Sequence, residues 1–207
     1  MPVWHQGQIF FAAVNHFSQY QANPTEEHWK GLKRILRYIQ GTLDLGIRFD
    51  YQSHAPLVGY ADADFANNYD RKSVSGYLLE VFGNVVSWCT RKQRTVALST
   101  TEAEFVALAT ACSELLWIRQ FLLELTVKIN GPITVYEDNQ SCINSLATWD
   151  QKRLKHIDIK YNFVNGLQKE NVVAAQYIES CSQKADIMTK PLPTDTSKRH
   201  RKALAME

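Results

Sequence analysis

Four carboxylates, at positions 62, 104, 138 and 186, are of the residue type and in the kinds of element that could together hold divalent cations. The first lies in "LVGYADADF", residues 57–65. On a strand, Val58, Tyr60, Asp62 and Asp64 share one side, and Leu57, Gly59, Ala61, Ala63 and Phe65 the other. Two acids in an apolar run therefore share a face, and a buried anion is costly unless a cation or hydrogen-bond donor meets it. A polar sheet edge or a metal site satisfies that demand. Glu104 lies in "STTEAEFVALATACSELLWIRQFLLEL". At about 100° per residue, Leu108, Ala111, Leu115 and Leu122 fall within about 40° of it, whereas Glu102 lies about 160° away beside Ser113 and Gln120. Glu104 thus faces the core, and Glu102 fits a capping box with Ser99. Asp138 closes "PITVYED", where it could cap the next helix or stand at the carboxyl end of a strand, where open α/β sheets place ligands. Asp186, in "KADIMT", reads alone as a solvated first-turn acid. Together the four supply the hard oxygen donors that Mg²⁺, or Mn²⁺, prefers. Two such ions about 3.5–4 Å apart activate water and stabilise the leaving oxygen in phosphodiester cleavage.

The elements that must position these acids follow from periodicity. Residues 9–40 read as two helices split at "ANPTEEHW", with Thr25 capping the second and Gly41 ending it. A soft boundary falls near residue 52. Beyond it, "SGYLLEVF" and "VVSWCT" flank Gly83-Asn84, a type II′ hairpin signal, and "RTVAL" reads as a further strand. Then come the long apolar helix, the strand "PITVYED", a helix from "NQSCINSLA", a basic turn "DQKRLK", a helix "HIDIKYNFVNGLQK", a strand "NVVAAQYIE" and a short helix at "QKADIMTK". The closing "TDTSKRHRKALAME" reads as a flexible basic tail. The domain reading is a helical segment at 1–52, an α/β domain at 53–192 and a tail at 193–207.

Composition narrows the class without choosing a function. With 207 residues, 45% hydrophobic and 21% charged, the chain can bury one full core plus a smaller attachment. A net charge of +2 does not by itself demand a nucleic-acid partner. Cys89, Cys112, Cys142 and Cys181 form no C-x-x-C and read as reduced thiols, the usage of an intracellular chain. The N-terminus carries neither a signal-peptide pattern nor an apolar run near the roughly 20 residues of a membrane helix.

The motifs "GYADADF", "RKSVSGY", "VSWCTRKQRTVALSTTEAEFVAL", "VYEDNQSCI", "KHIDIKYNFV" and "ADIMTKPL" occur in this order. Together they resemble the ribonuclease H region of copia-type LTR retrotransposon Pol polyproteins. The upstream "HFSQYQANPTEEHWKGLKRILRYIQGTLDLGIRF" resembles the end of the reverse transcriptase region that precedes it, so the resemblance covers roughly residues 9–192. It implies a ribonuclease H-like fold: a mixed five-stranded sheet, its first three strands antiparallel, with flanking helices. It implies a metal-dependent endonuclease that hydrolyses the RNA strand of RNA/DNA hybrids and leaves 3′-hydroxyl and 5′-phosphate ends. Asp62, Glu104, Asp138 and Asp186 would be its catalytic metal ligands, with Asp64 an auxiliary acid. Cytoplasmic virus-like particles or the nucleus would be its location.

Departures from the family pattern are Glu179 for a usual proline, Gln151 for a frequent histidine, and "SCSQK" without the histidine that cellular ribonucleases H carry before the last acid. His156 reads as a packing or surface residue. No "Y-x-D-D" polymerase hairpin occurs, so no polymerase activity is expected from this chain alone, and residues 1–52 read as a remnant whose reverse transcriptase partner lies elsewhere in the polyprotein. The competing expectation is an inactive retroelement remnant that at most binds nucleic acid. For substrate contact, Lys92 and Arg94 in "TRKQRT" are the candidates for phosphate, ahead of Arg71 and Lys72. Ser73, Asn139 and Gln140 are the candidates for reading the 2′-hydroxyl. Arg91 alternates to the opposite side.

Overall fold

Alternating apolar residues and a tight turn start the sheet. In the computed structural model, which describes residues 10–50, 55–148 and 158–204, β2 (Val74–Val81) and β3 (Asn84–Lys92) pair antiparallel around Phe82-Gly83. Both turn residues have positive φ, 50° and 80°, so the two-residue loop is of the type I′ kind and sits one residue before the expected Gly83-Asn84. Asn84, paired with Val81, is the first β3 residue, and its side-chain amide reaches back along the chain: Nδ2 donates to Asp50 O at 2.9 Å, and Oδ1 accepts from Asp50 N at 2.9 Å. The segment "RTVAL" is not a strand. Gln93 turns inward after β3, donating to Ser75 Oγ and Ala103 O, and the chain runs directly to the Ser99 cap of the long helix.

β1 (Val58–Asp64) pairs antiparallel with β2 and parallel with β4 (Ile133–Glu137), which pairs parallel with β5 (Val173–Tyr177). The order β3-β2-β1-β4-β5 puts β1, the Asp62 strand, at the centre. α3 (Thr100–Glu124) lies on one face, where Phe105, Leu108, Ala111 and Leu115 pack with Leu57, Ala61, Leu79 and Val135. Among the described helices it is the one long and apolar enough to cross a membrane, yet it is the core helix of this sheet. α4 (Gln140–Thr148) and α5 (Asp158–Lys169) extend the same layer, Tyr161 donating to Leu146 O at 3.1 Å. Upstream, α1 (Phe10–Ser18) and α2 (Glu26–Gln40) form a hairpin; Thr25 caps α2 as the sequence implies, its hydroxyl accepting from His28 N.

The opposite face of the sheet corrects the sequence reading. Tyr60, Leu78 and Val85 are covered by Ile187 and Met188 of α6 (Asp186–Thr189), by Leu192, and by Leu204 after α7 (Thr194–Ala203). The expected flexible tail is therefore a helix over most of its length, with Ser197 and His200 buried and Arg201 Nη1 donating to Tyr38 Oη of α2 at 3.3 Å. Its apolar anchors, Leu192 and Leu204, lie just outside a run of polar residues, so no period betrays it. Truncation after Pro193 is expected to lower the melting temperature, since burial of one leucine alone stabilises by about 1.5–3 kcal/mol; an unchanged melting temperature would show that α7 contributes nothing. The boundary near residue 52, Gln151, His156 and the cluster at 152–155 lie outside the described residues.

Candidate metal centre

Three separate elements bring the acids together. Asp62 projects from the middle of the sheet and is 1% exposed. Glu104 sits in the first turns of α3, whose start is fixed by Ser99 Oγ accepting from Glu102 N at 3.2 Å. Glu102 Oε2 in turn accepts from Leu98 N at 2.8 Å, so Glu102 does the capping work expected of it, one residue upstream of the cap itself. Asp138 follows β4 directly. It is not the cap of α4: Asn139 Oδ1 accepts from Cys142 N at 3.0 Å, which leaves the Asp138 carboxylate free to face the cluster. One oxygen each from Asp62, Glu104 and Asp138 lie within 4.8 Å of one another. Asp186, first residue of α6, joins through a cation: Lys190 Nζ is 2.8 Å from Asp186 Oδ1 and 3.4 Å from Asp62 Oδ1. The Thr189 hydroxyl donates to Asp62 Oδ2.

Packing these acids together distorts their proton affinities. Burial, then Glu137, Asp62 and Asp138, push the Glu104 carboxyl far up, opposed by Lys190. Burial, then the neighbouring acids, do the same to Glu137, although its Oε1 accepts from Asn139 N at 3.1 Å. The Asp186 carboxyl is raised to about 7 by burial and Asp62, against Lys190. Lys190 is pulled down by burial but carried above its ordinary value by Asp62 and Asp186. A carboxyl whose folded-state pKa lies above its unfolded value binds its proton more tightly when folded, so stability falls as pH rises through the interval between them. For Asp186 that interval runs from 3.8 to about 7, and Glu104 acts in the same sense from 4.5 upward. The melting temperature without divalent metal is expected to fall between about pH 4 and about pH 7, and the fall should shrink in Asp186→Asn. An equal slope in that variant would remove Asp186 from the account.

The residues fit a hard cation. Glu104 Oε2 and Glu137 Oε2 are buried with no hydrogen-bond partner, and carboxylate oxygens converging from separate elements are the donor set that Mg²⁺ takes.

Sequence reasoning missed four contributors. Glu137 is 0% exposed, and its partnered oxygen holds the turn that presents Asp138. Strand alternation alone would have placed it opposite Asp138, and only its neighbourhood in space marks it. Gln183, also 0% exposed, donates to Ala61 O at 2.8 Å and to Tyr136 O at 3.4 Å, spanning β1 and β4 just before Asp186. That contact orders the loop whose Glu179 and missing histidine depart from the family pattern. Thr189 and Lys190 were legible in principle, because Lys190 stands four residues after Asp186, the spacing of a helical ion pair.

The substrate candidates separate. Ser73 is 0% exposed, its hydroxyl accepting from Ala66 N at 3.1 Å, so it is an interior loop pin and cannot read a 2′-hydroxyl. Lys92 Nζ is engaged by Asp70 at 2.9 Å and Gln19 Oε1 at 2.6 Å. Arg94 is exposed beyond β3, Gln140 is exposed, and Asn139 is half-buried with its carbonyl oxygen used as the cap. Asp64 accepts from Asn67 Nδ2 at 2.9 Å and lines a pocket with Thr189 and with Asn15, His16 and Gln19 of the upstream segment. The upstream segment therefore reaches the rim of the cluster.

A sheet of order β3-β2-β1-β4-β5, antiparallel then parallel, with carboxylates gathered at β1, the start of α3, the end of β4 and α6, defines a ribonuclease H-like α/β domain. Known proteins agree in sequence. The chain is 37% identical over 185 residues to the retrovirus-related Pol polyprotein from transposon RE2 of Arabidopsis thaliana, covering 87% of this chain and 12% of that protein. It is 38% identical over 183 residues to the Pol polyprotein from transposon TNT 1-94 of Nicotiana tabacum, covering 87% and 14%. It is also 49% identical over 108 residues to secreted RxLR effector protein 161 of Plasmopara viticola, covering 52% of this chain and 76% of that one. The chain belongs to the copia-type Pol polyprotein family. It spans about an eighth of the length of the first two relatives. No family model matches the chain. Among solved structures, LC11-RNase H1 in complex with RNA/DNA hybrid aligns with a TM-score of 0.47 at 12% identity, over 64% of this chain and 93% of that one. The N-terminal RNase H domain of rv2228c from Mycobacterium tuberculosis aligns with a TM-score of 0.48 at 12% identity, over 73% and 100%.

Proposed function

We propose that this chain is a metal-dependent endonuclease that hydrolyses the RNA strand of RNA/DNA hybrids. The observation that carries the reading is the convergence of Asp62, Glu104 and Asp138 oxygens within 4.8 Å from a strand, a helix and a strand end. In this reading Asp62, Glu104 and Asp138 would hold one cation, and Asp62 with Asp186 would hold a second. Two Mg²⁺ would supply the Lewis acidity that activates water and stabilises the leaving oxygen. Thr189 donates to one Asp62 oxygen and Lys190 stands 3.4 Å from the other, so the two together hold the Asp62 carboxylate in place.

Family membership supports the substrate. Arg94, and Lys92 on release from Asp70, are the phosphate contacts; Gln140 and the amide nitrogen of Asn139 are the 2′-hydroxyl readers. The partner is the polymerase portion of the polyprotein, and the place of action is a cytoplasmic particle or the nucleus. The test is cleavage of a hybrid labelled on its RNA strand by the purified full chain. Products are expected with Mg²⁺ and none after chelation. Mg²⁺ binding without cleavage would instead favour an inactive relative that keeps the metal site.

A further inference from the structure

We infer that Lys190 is a displaceable internal cation that makes the two halves of the acid cluster fill with metal in a fixed order. The inference rests on the metal-binding part of the reading above. The cluster is electrically lopsided. Among the described residues, Glu104 and Asp138 have no ion pair, and with Asp62 they offer three oxygens to one cation. On the other side the space between Asp62 and Asp186 holds the Lys190 ammonium, 3.4 Å from one carboxylate and 2.8 Å from the other. Mg²⁺ draws its oxygen ligands to about 2.0–2.1 Å. A divalent ion bridging Asp62 and Asp186 therefore cannot share that space with an ammonium group.

Lys190 is built to leave. It is the C-cap of α6 with an extended backbone, φ −133° and ψ 154°, so its stem can turn outward without unwinding the helix. Its side chain is 33% exposed, whereas the Asp62 and Asp186 side chains it bridges are 1% and 9% exposed. Thr189, by contrast, is buried and keeps its bond to Asp62 when Lys190 moves. The first ion binds Asp62, Glu104 and Asp138 with Lys190 in place. The second binds Asp62 and Asp186 only as the ammonium is expelled, and so needs more Mg²⁺.

Calorimetric titration of the full chain with Mg²⁺ alone tests this, with no nucleic acid present. The wild-type chain is expected to show two separated binding events. In Lys190→Met the second event should move to about tenfold lower Mg²⁺ or further, merging with the first. Lys190→Arg, which keeps the charge, should preserve the separation. Lys190→Gln serves as a second neutral variant, with melting temperature measured for each to confirm folding. Unchanged separation in both neutral variants, or a weaker second event, would overturn the role of Lys190 while leaving the metal site standing. No Mg²⁺ binding by any of these chains would overturn the metal-site reading itself. Two ordered events without hybrid cleavage would sustain the inference and sink only the nuclease reading.

Discussion

Asp138→Asn is expected to lower Mg²⁺-dependent cleavage of the RNA strand in an RNA/DNA hybrid by about a thousandfold or more, the scale on which a positioned electrostatic group acts in catalysis. The substitution preserves shape and removes one negative charge. The cap of α4 survives, because Asn139 and not Asp138 accepts the Cys142 N–H. The Glu137 bond to Asn139 N also survives. Relief of repulsion is the remaining effect on the fold, since Asp138 is among the charges that raise both Glu104 and Glu137. The metal-free melting temperature should therefore hold or rise while activity disappears, the trade-off of stability against function that strained sites show. Loss of activity with a fall in melting temperature would indicate a folding defect instead. Wild-type cleavage rates in Asp138→Asn would remove the proposed mechanism.

Gly76→Ala is expected to destabilise the fold by about 1–3 kcal/mol and to reduce cleavage beyond what the loss of folded protein explains. Gly76 pairs with Asp62 across β1 and β2, and α6 crosses it closely. A Cβ there would stand 2.6 Å from Thr189 Cγ2 and 2.7 Å from Met188 Cβ. Neither neighbour is a free side-chain end. Met188 and Thr189 are buried, and Met188 O accepts from Thr90 Oγ1 at 2.8 Å, so relief requires shifting α6 as a unit. That shift carries Asp186, Thr189 and Lys190 away from Asp62. Gly166→Ala makes the control: it lies within α5, nothing stands within 4 Å of a Cβ there, and a gain of about 0.4–1 kcal/mol is expected. Denaturant unfolding of both variants measures the difference, and equal effects would show that the close crossing at Gly76 is not a constraint.

Much of this was legible without coordinates because it depends on local regularities. Period-two alternation put Asp62 and Asp64 on one face of β1, and the helical angle of Glu104 aimed it at the core, where it is 7% exposed. Ser99 and Thr25 announced two helix starts by their cap chemistry, and the caps are there. The hairpin was legible as a hairpin, but its register was not. The turn falls at Phe82-Gly83, and Asn84, left in the strand, bonds to Asp50, a contact across 34 positions.

The amino-acid order alone pointed to the family and placed all five observed strands, while reading one strand too many at "RTVAL"; it singled out the four acids, the last of them only through its motif's resemblance to the family. Only the tertiary structure decided that Lys190 would stand between Asp62 and Asp186, that Glu137 and Gln183 would back the cluster, that Ser73 would be lost to the interior, and that a polar terminal segment would close the second face of the sheet. Those outcomes rest on contacts between residues up to 163 positions apart. Their energies come from burial and from charges meeting at low dielectric, and neither quantity exists until the chain has closed around them.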